Sequence, residues 1–474
     1  MFMKIEDIVK KQEVFAVLSQ FNPWWHGDTM KGLPDWKRTV YSDVRQWITV
    51  PAAARALVIS GARQAGKTTI FLQCIQDLIR TDKVNPHQVL YATLDHPLLK
   101  LVGIQGIIDI WREFIPDDGS GEYLFIDEIQ YSPKWETWVK HETDFAKGRR
   151  IAVTGSSIPL TRGEESAFGR THTIRMATMS FSEYLKICCI QVSDIIPVMP
   201  SLAAAVDLPQ GKLLNIAAAA QPLQAHFHDY LLKSGFPQLA KIEDITMAQK
   251  LLREDIIDKA LKRDMTAVFG VRNVLELEQT FLYLCLHDGG IVNLTQLCNS
   301  LGLKRPTVSN FIDFLEASHL LYKLKTFSFG KEALRPKFKL YLADSAISGS
   351  VLLKGRRLLE DTVRLGAAVE NAFFKHMISR YSSNATFYYW HGKRNLEVDI
   401  VAEIDGTLQP FEVKYSQSSI QLSDLQGMVE FCQTHERAAC PVIVTRNLDD
   451  IGMMGLSTTK PAMRIPAVLA CYWL

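Results

Sequence analysis

Length, composition and charge narrow the class of protein. A chain of 474 residues is too long for one hydrophobic core, and we expect about two to four domains. With 47% apolar and 22% charged residues the composition is globular, and a net charge of only +2 excludes a global positive field for nucleic acid.

The cysteines and the hydropathy pattern exclude further classes. None of the eight cysteines forms a C-x-x-C pair and no histidines cluster beside them, so neither a zinc site nor a disulfide scaffold is expected. Met1–Phe15 lacks the apolar core of a signal peptide, and no window reaches the roughly 18 consecutive apolar residues of a membrane helix. We therefore expect a cytoplasmic protein with no membrane partner.

The first predicted strand leads into a phosphate-binding loop. Ala56–Ser60 is apolar and β-branched, as in a strand buried on both faces, and it runs into Gly61–Thr69, a complete G-x-x-x-x-G-K-[ST] motif. Thr68–Arg80 is predicted to be a helix, whose positive end would bind the phosphates of ATP. We expect Lys67 to neutralise the β- and γ-phosphates and Thr68 to coordinate Mg²⁺. The predicted ATP ligands of the loop are Gly61, Ala62, Arg63, Gln64, Ala65, Gly66, Lys67, Thr68 and Thr69.

A second predicted strand, Tyr123–Glu128, ends in two carboxylates. We expect Asp127 to hold the Mg²⁺ shell and Glu128 to activate the attacking water. A protein that only binds ATP needs Asp127 but not Glu128, so the pair favours hydrolysis. The alternative for Glu128 is a solvated acid at the start of a helix.

Two more apolar segments, Val89–Asp95 and Ile151–Gly155, are predicted to complete a parallel sheet with its ligand at the carboxyl edge. Ser156 follows the second segment directly. It is placed either to sense the γ-phosphate or, with Ser157, to cap a helix. Both interpretations stay open at this point.

A helix-turn-helix with a β wing is predicted further along the chain. Thr295–Leu301 is a short helix, Gly302 makes the turn, and a second helix starts at Arg305 with Pro306 in its first turn. Tyr322–Phe327 is the predicted wing. The second helix has one apolar face, formed by Val308, Phe311, Ile312 and Leu315.

Basic residues at and beyond this wing make DNA a predicted partner, bound through Lys323–Lys339 and through the C-terminal domain. Thr307, Ser309 and Asn310 could reach bases or phosphates, whereas Asp313 and Glu316 would repel phosphate. The alternative is a structural connector with a solvated charge run. The basic residues are Lys323, Lys325, Lys331, Arg335, Lys337 and Lys339, opposed by Glu332.

A β-hairpin near the C-terminus places carboxylates together. Asp405-Gly406 is a strong two-residue turn, so Ile404 pairs with Thr407 and opposed residue numbers keep the same sum along the ladder. Asp399 is then opposite Glu412, and Glu397 is opposite Lys414. All four project from one face of the hairpin because side chains alternate along a strand.

Two directly opposed carboxylates repel each other unless a positive charge lies between them. Mg²⁺ bound by Asp399 and Glu412 would supply that charge, with Lys414 beside it to activate water or stabilise an anion. The alternative is a salt-bridged hairpin in which Glu397 pairs with Lys414. The D…E-x-K pattern resembles PD-(D/E)xK nucleases, and the resemblance implies that Glu370, in a predicted helix, completes the metal shell.

Over nearly all of Phe21–Tyr415 the chain resembles bacterial and archaeal AAA-type ATPases with a C-terminal domain long labelled as of unknown function. In these ATPases a neighbouring subunit or domain supplies an arginine to the nucleotide; the candidates here are Arg170, Arg175 and Arg263, and the resemblance implies a homo-oligomer. The motifs that carry it are Phe21–Trp25, Gly61–Thr69, Phe125–Gln130, Thr154–Ser157, Gly169-Arg170, Ser180–Leu185 and Ser234–Pro237.

The predicted fold class is α/β: a P-loop ATPase core with a parallel sheet, a helical lid, a winged helix and a C-terminal restriction-endonuclease-like domain. The expected function is ATP hydrolysis that controls a DNA-acting C-terminal module, in DNA processing or defence. The alternative is a nucleotide-gated scaffold or DNA-binding regulator whose nuclease-like domain is inactive. The predicted divisions are 1–50 (N-terminal extension), 51–190 (ATPase core), 191–285 (lid), 286–345 (winged helix) and 346–474 (nuclease-like domain).

Overall fold

The chain divides into two units, each built around its own β-sheet. In the computed structural model, one unit comprises residues 1–176 and 264–271, and the other comprises residues 177–263 and 272–474. The structure describes residues 10–50, 54–146, 148–157, 169–328, 337–381, 384–456 and 460–474. The fold class is α/β, as predicted, but none of the predicted domain boundaries coincides with the division between these units.

The first unit contains a five-stranded parallel sheet in the order β2-β3-β4-β1-β5. Every residue of β1 is buried, which confirms the strand predicted from its apolar run. The strands are β1 (Ala56–Gly61), β2 (Val89–Thr93), β3 (Glu122–Asp127), β4 (Arg149–Gly155) and β5 (Thr171–Met176). The helices are α1 (Lys11–Phe21), α2 (Tyr41–Thr49), α3 (Lys67–Arg80), α4 (Pro97–Phe114), α5 (Trp135–Phe145) and, after a long excursion of the chain, α11 (Met265–Ala267).

Strand β2 lies at one edge of this sheet, where N-terminal residues cover its backbone. The Asn22 side chain donates to the carbonyl oxygen of Tyr91 (2.8 Å) and accepts from the N–H of the same residue (2.7 Å). The indole N–H groups of Trp24 and Trp25 both donate to the carbonyl oxygen of Val89, each at 3.0 Å. The edge is thereby closed to pairing with another chain. The Phe21–Trp25 motif thus has a structural role.

The second unit contains a mixed eight-stranded sheet in the order β12-β13-β11-β10-β9-β8-β6-β7. Its strands are β6 (Leu321–Thr326), β7 (Phe338–Leu342), β8 (Ala385–His391), β9 (Glu397–Ile404), β10 (Thr407–Lys414), β11 (Val442–Thr445), β12 (Gly452–Met454) and β13 (Ala462–Pro466). The helices before β6 are α6 (Phe181–Ile187), α7 (Gln210–Ala220), α8 (Leu223–Lys233), α9 (Pro237–Ala240), α10 (Ile245–Leu251), α12 (Val274–Leu286), α13 (Leu294–Leu301) and α14 (Arg305–Ala317). Those after β7 are α15 (Ala346–Val351), α16 (Thr362–Tyr381), α17 (Gln426–Thr434) and α18 (Ala467–Trp473).

The two predicted helices and their turn are present as α13 and α14. The predicted wing, however, is not confined to a separate domain of residues 286–345. Gly302 ends α13 in the left-handed conformation (φ 67°), and the predicted apolar face of α14 is buried. The hairpin β6–β7, called the wing hairpin below, pairs with β8 through Lys325 and Thr326. It therefore forms one end of the C-terminal sheet. The boundary predicted at 345/346 would cut that sheet, because β7 and β8 lie on opposite sides of it.

The register predicted for the C-terminal hairpin is confirmed from the turn as far as Phe411 and Ile400. Thr407 pairs with Ile404, and the ladder of β9 and β10 continues to Phe411 and Ile400. The turn has positive φ at both Asp405 (49°) and Gly406 (77°), as a two-residue type I′ turn requires. No helix among the residues that the structure describes is long and apolar enough to cross a membrane.

Candidate functional site

The phosphate-binding loop connects β1 to α3, as its motif predicts. Gly66, just before α3, has φ 104°, a conformation that an L side chain rarely adopts. Gly61 is required for a different reason: an added Cβ would overlap the backbone carbonyl oxygen of Met176 in the neighbouring strand β5. Gly66 thus permits the backbone turn before α3, and Gly61 permits the close approach of β1 and β5.

Lys67 is buried at the base of this loop. Its side-chain Nζ donates to the carbonyl oxygens of Gly61 (2.8 Å) and Ala62 (2.9 Å), and the residue is only 4% exposed. Burial lowers its pKa, in spite of the opposing influence of Glu128 and Asp127. The ammonium therefore lies within the loop that its motif assigns to phosphates.

Asp127 is the centre of a buried hydrogen-bond network at the end of β3. It accepts from the hydroxyls of Thr68 (2.6 Å), Tyr91 (3.0 Å) and Thr154. Burial, and next the charge of Glu128, raise its pKa. The Thr68 hydroxyl and the Asp127 carboxylate, predicted to share Mg²⁺, are thus adjacent, and these hard oxygen donors suit that ion.

Glu128 is held in a fixed position beside Asp127. Its backbone is left-handed (φ 56°), an uncommon conformation for a non-glycine residue. Its carboxylate accepts from Gln130 and from the Ser156 hydroxyl (3.1 Å), and its N–H donates to Thr154 (3.2 Å). Burial raises the pKa of Glu128, but Lys67, Gln130 and Arg63 together outweigh it and the net shift is downward. The carboxylate is therefore ionised at neutral pH, as a general base must be.

Arg63, predicted to be an ATP ligand, makes a buried ion pair within the same unit. Its guanidinium lies 2.6 Å from Asp264 Oδ1, which also accepts from the Tyr131 hydroxyl (3.1 Å). Asp264 begins the short segment 264–271 that returns to the first unit, and its side chain is 1% exposed. Arg63 thus binds this returning segment to the phosphate loop.

We expect Asp264→Ala to destabilise the protein by about 3 kcal/mol or more, because it leaves a largely buried guanidinium without its carboxylate. A matched control is Asp144→Ala. Asp144 pairs with Arg170, and the two side chains are 28% and 42% exposed, so the loss should stay below about 1 kcal/mol. Urea unfolding followed by tryptophan fluorescence measures both. Equal losses for the two variants would contradict a stabilising role for the Arg63–Asp264 pair.

The predicted arginines do not all reach the nucleotide site of their own chain. Arg170 directly precedes β5 and pairs with Asp144, at the amino edge of the sheet, because Thr171 lies beside Ala56 at the start of β1. Arg175 lies beside Ser60 near the carboxyl edge and is exposed. Arg263 is exposed and belongs to the second unit. Arg170 therefore lies at the opposite edge of the sheet from the phosphate loop of its own chain.

The sequence did not predict a role in this site for Thr154, Gln130, Arg38 or Asp264. Thr154 connects Asp127 to Glu128, Gln130 holds the Glu128 carboxylate, and Arg38 donates to the carbonyl oxygen of Ala65 in the loop (2.8 Å). Thr154 and Gln130 lie in motifs that carry the AAA-type resemblance, so their motifs were a usable signal. Arg38 and Asp264 lie outside every motif, so the sequence contains no such signal for them.

The second predicted site is the carboxylate cluster of the second unit. Asp399 and Glu412 are adjacent, as predicted: the N–H of Asp399 donates to Glu412 Oε2 (3.3 Å), and the N–H of Val413 donates to Asp399 Oδ2 (2.9 Å). Burial, and then Asp399, raise the pKa of Glu412 to about 8. Lys414 pairs with Glu412 (2.7 Å) and not with Glu397.

Lys339, which was predicted to contact DNA, lies at the centre of this cluster. Lys339 Nζ is 2.7 Å from Glu370, 2.7 Å from Asp399 and 2.9 Å from Glu397. Of the two opposed carboxylates, Asp399 is thus paired with the Lys339 ammonium and Glu412 with that of Lys414. The residues do not fit the predicted Mg²⁺, and among those described no group of three or more His, Cys, Asp or Glu side chains is arranged to hold a metal ion.

Fewer of the basic residues between Lys323 and Lys339 are available to contact DNA than the sequence predicts. Lys339 is buried, and Lys323 pairs with Asp313 (2.6 Å) and Glu316 (2.7 Å) of α14. Lys325 and Lys337 are exposed. Lys331 and Arg335, with Glu332, lie outside the described residues. Internal ion pairs therefore use two of the lysines that were predicted to contact phosphate.

Comparisons with known proteins agree with the geometry of the first site. A family model described as an AAA domain matches residues 53–185. Two models described only as domains of unknown function match residues 224–357 and 365–466. An uncharacterized protein of Haemophilus influenzae is 24% identical over 303 residues, which is 61% of this chain and 67% of that protein. One of Mycobacterium tuberculosis is 26% identical over 389 residues, which is 80% of this chain and 74% of that protein.

Solved structures show only distant similarity. The Aeropyrum pernix ORC1 protein in complex with DNA is 12% identical, with a TM-score of 0.32 over 68% of this chain and 94% of that one. A DNA polymerase III gamma subunit-related protein of Thermotoga maritima is 10% identical, with a TM-score of 0.27 over 59% of this chain and 97% of that one. The assignment therefore depends on the family model and on the loop, strand and carboxylate geometry. On these grounds residues 53–185 form a P-loop domain that is similar to AAA domains.

Proposed function

We propose that this protein binds and hydrolyses ATP at the carboxyl edge of the five-stranded sheet. The observation that carries the proposal is the adjacent pair of buried Asp127 and half-buried Glu128, fixed by Thr68, Thr154 and Ser156 next to the phosphate loop. A protein that only binds nucleotide has no need to hold a second, ionised carboxylate in a left-handed backbone conformation.

Each group of the site has a distinct part in the reaction. The N–H groups of the loop and the positive end of α3 bind the phosphates, and Lys67 exchanges the carbonyl oxygens of Gly61 and Ala62 for phosphate oxygens. Thr68 and Asp127 would hold Mg²⁺, which supplies neutralising charge at the β- and γ-phosphates. Glu128 orients the attacking water and accepts its proton, and Gln130 and Ser156 keep the carboxylate in place.

The direct test is phosphate release by the purified full-length chain. We expect release that requires ATP and Mg²⁺ and that stops when EDTA removes the ion, because charge on the transferred phosphoryl group then goes unneutralised. A preparation with its phosphate loop disabled serves as the control for contaminating ATPases. Release at the same rate in that control, or no release from the wild type, would contradict the proposal.

The contacts of the carboxylates in the second unit distinguish between the two functions that the sequence predicts. A metal-dependent nuclease needs its carboxylates free to bind a divalent ion, whereas Lys339 engages Glu370, Glu397 and Asp399. This contact favours the nucleotide-gated scaffold or DNA-binding regulator over the nuclease. A DNA contact would then involve Lys325, Lys337 and the start of α14, where Lys304 and Arg305 are exposed.

Assembly into a homo-oligomer remains part of the proposal. The exposed position of Arg175 near the carboxyl edge of the sheet suits a charge that acts on a neighbouring subunit's nucleotide, and Arg263 is a second exposed candidate. A head-to-tail contact between identical subunits is the arrangement that would deliver either one.

A further inference from the structure

The carboxylate cluster of the second unit surrounds a single ammonium group. Glu370 comes from α16, Glu397 and Asp399 come from β9, and Lys339 comes from β7, 60 residues before Asp399. The lysine side chain is 3% exposed, while those of Glu370 and Asp399 are 15% and 14% exposed. Elements distant in the sequence therefore converge on one buried cation.

The geometry matches what an ammonium group requires. An ammonium has three N–H donors and no acceptor, and Lys339 Nζ has three carboxylate oxygens, from three residues, at 2.7–2.9 Å. Burial alone would lower the pKa of Lys339, but Asp399 and Glu370 outweigh it, and the pKa lies well above its ordinary value. The lysine is therefore charged at any physiological pH.

A divalent cation would need the same oxygens at shorter range. Mg²⁺–oxygen bonds are about 2.0–2.1 Å and Ca²⁺–oxygen bonds about 2.3–2.6 Å, so either ion would occupy the volume that the ammonium fills. Two cations cannot share that centre, because their repulsion in a buried site is severe. The lysine has a further advantage: it is covalently attached, so it loses no translational freedom when it binds.

We propose that Lys339 is a tethered cation that takes the place of a divalent metal ion in the second unit and closes the carboxylate cluster to metal. The unit then has no metal with which to activate water on a phosphodiester, and its carboxylates serve to hold the wing hairpin against α16 and β9. The inference does not depend on ATP hydrolysis in the first unit. It predicts that removing the lysine converts the cluster into a metal site.

The test compares two buried lysines in the full-length chain without nucleotide. All proteins carry Asp127→Asn, so that the predicted Mg²⁺ site of the first unit cannot contribute. Lys339→Met leaves a cavity lined by three carboxylates, and these suit Mn²⁺. The matched control is Lys375→Met: Lys375 is 1% exposed, pairs with Asp344 at 3.3 Å, and also donates to two uncharged groups, the Met179 carbonyl oxygen and the Tyr230 hydroxyl.

In EDTA we expect both variants to melt at a lower temperature than the parent. When Mn²⁺ is added, only Lys339→Met should regain stability, because a ligand that binds the folded state stabilises it. Electron paramagnetic resonance should count one bound Mn²⁺ per chain in Lys339→Met and none in the parent or in Lys375→Met. Adding Asp399→Asn to Lys339→Met should abolish that binding. The parent should cut neither plasmid nor oligonucleotide DNA with Mn²⁺.

Two results would overturn the proposal. One is a parent that binds Mn²⁺ in a manner lost on Asp399→Asn, since the metal would then displace the lysine. The other is a folded Lys339→Met that binds no Mn²⁺. Should the methionine variant fail to fold, Lys339→Gln, whose amide still donates to the carboxylates, replaces it, and the comparison of the parent with Asp399→Asn decides the question independently of either.

Discussion

Replacing Lys67 with alanine should abolish detectable binding of a fluorescent ATP analogue. The ammonium lies within the phosphate loop, 2.8 and 2.9 Å from the carbonyl oxygens of Gly61 and Ala62, and it is nearly inaccessible to water. Losing a buried, charge-assisted contact costs about 2–5 kcal/mol, so the affinity should fall by at least about 30-fold.

A matched control distinguishes this effect from a general loss of positive charge. Lys140→Ala removes an exposed lysine from α5 of the same unit and should leave ATP affinity unchanged. A melt of the nucleotide-free Lys67→Ala protein checks that the unit still folds. If the folded variant bound the analogue as tightly as the wild type, the loop would not be a phosphate site.

Replacing Glu128 with glutamine should separate ATP binding from turnover. The amide keeps the shape of the side chain but cannot accept a proton, and the lost contact matters only in the transition state. We expect ATP affinity to stay within a small factor of the wild type, while phosphate release falls by roughly 100-fold or more. A filter-binding measurement and a steady-state phosphate assay on the same preparation give the two quantities.

The neighbours of Glu128 provide a graded control. Ser156→Ala removes one hydrogen bond to the carboxylate (3.1 Å) and leaves its charge, so turnover should fall less than in Glu128→Gln, with ATP affinity again preserved. Wild-type turnover in Glu128→Gln would reduce Glu128 to a structural acid. A loss in Ser156→Ala as large as that in Glu128→Gln would instead make Ser156 the more important group.

The two sites differ in how a charged cluster is neutralised. In the first unit the carboxylates lie next to a loop whose lysine donates to the backbone oxygens of Gly61 and Ala62, so it can exchange these uncharged partners for a phosphate. In the second unit Lys339 is bonded to three carboxylates, and removing it would leave them uncompensated. The first arrangement suits a site that accepts a charged ligand, whereas the second suits a permanent structural contact.

The sequence alone determined the features that depend on short stretches of chain. The strand before the phosphate loop, the helix after it and the carboxylate pair that ends β3 each follow from a local pattern. The register of β9 and β10 was predictable because a two-residue Asp405-Gly406 turn leaves a single alignment of the strands. The same register argument required a positive charge between Asp399 and Glu412.

Only the tertiary structure decided that Lys339 binds Asp399 and that Asp264 binds Arg63. Lys339 precedes Asp399 by 60 residues, and Asp264 follows Arg63 by 201, so no local period or spacing connects either pair. The sequence predicted that the wing hairpin belongs to a separate domain, because its two strands pair with each other. No residue pattern in those strands indicates the further pairing with β8. Contacts of this kind depend on where whole elements pack, because the energy of a salt bridge or a strand pair is the same whatever length of chain lies between its members.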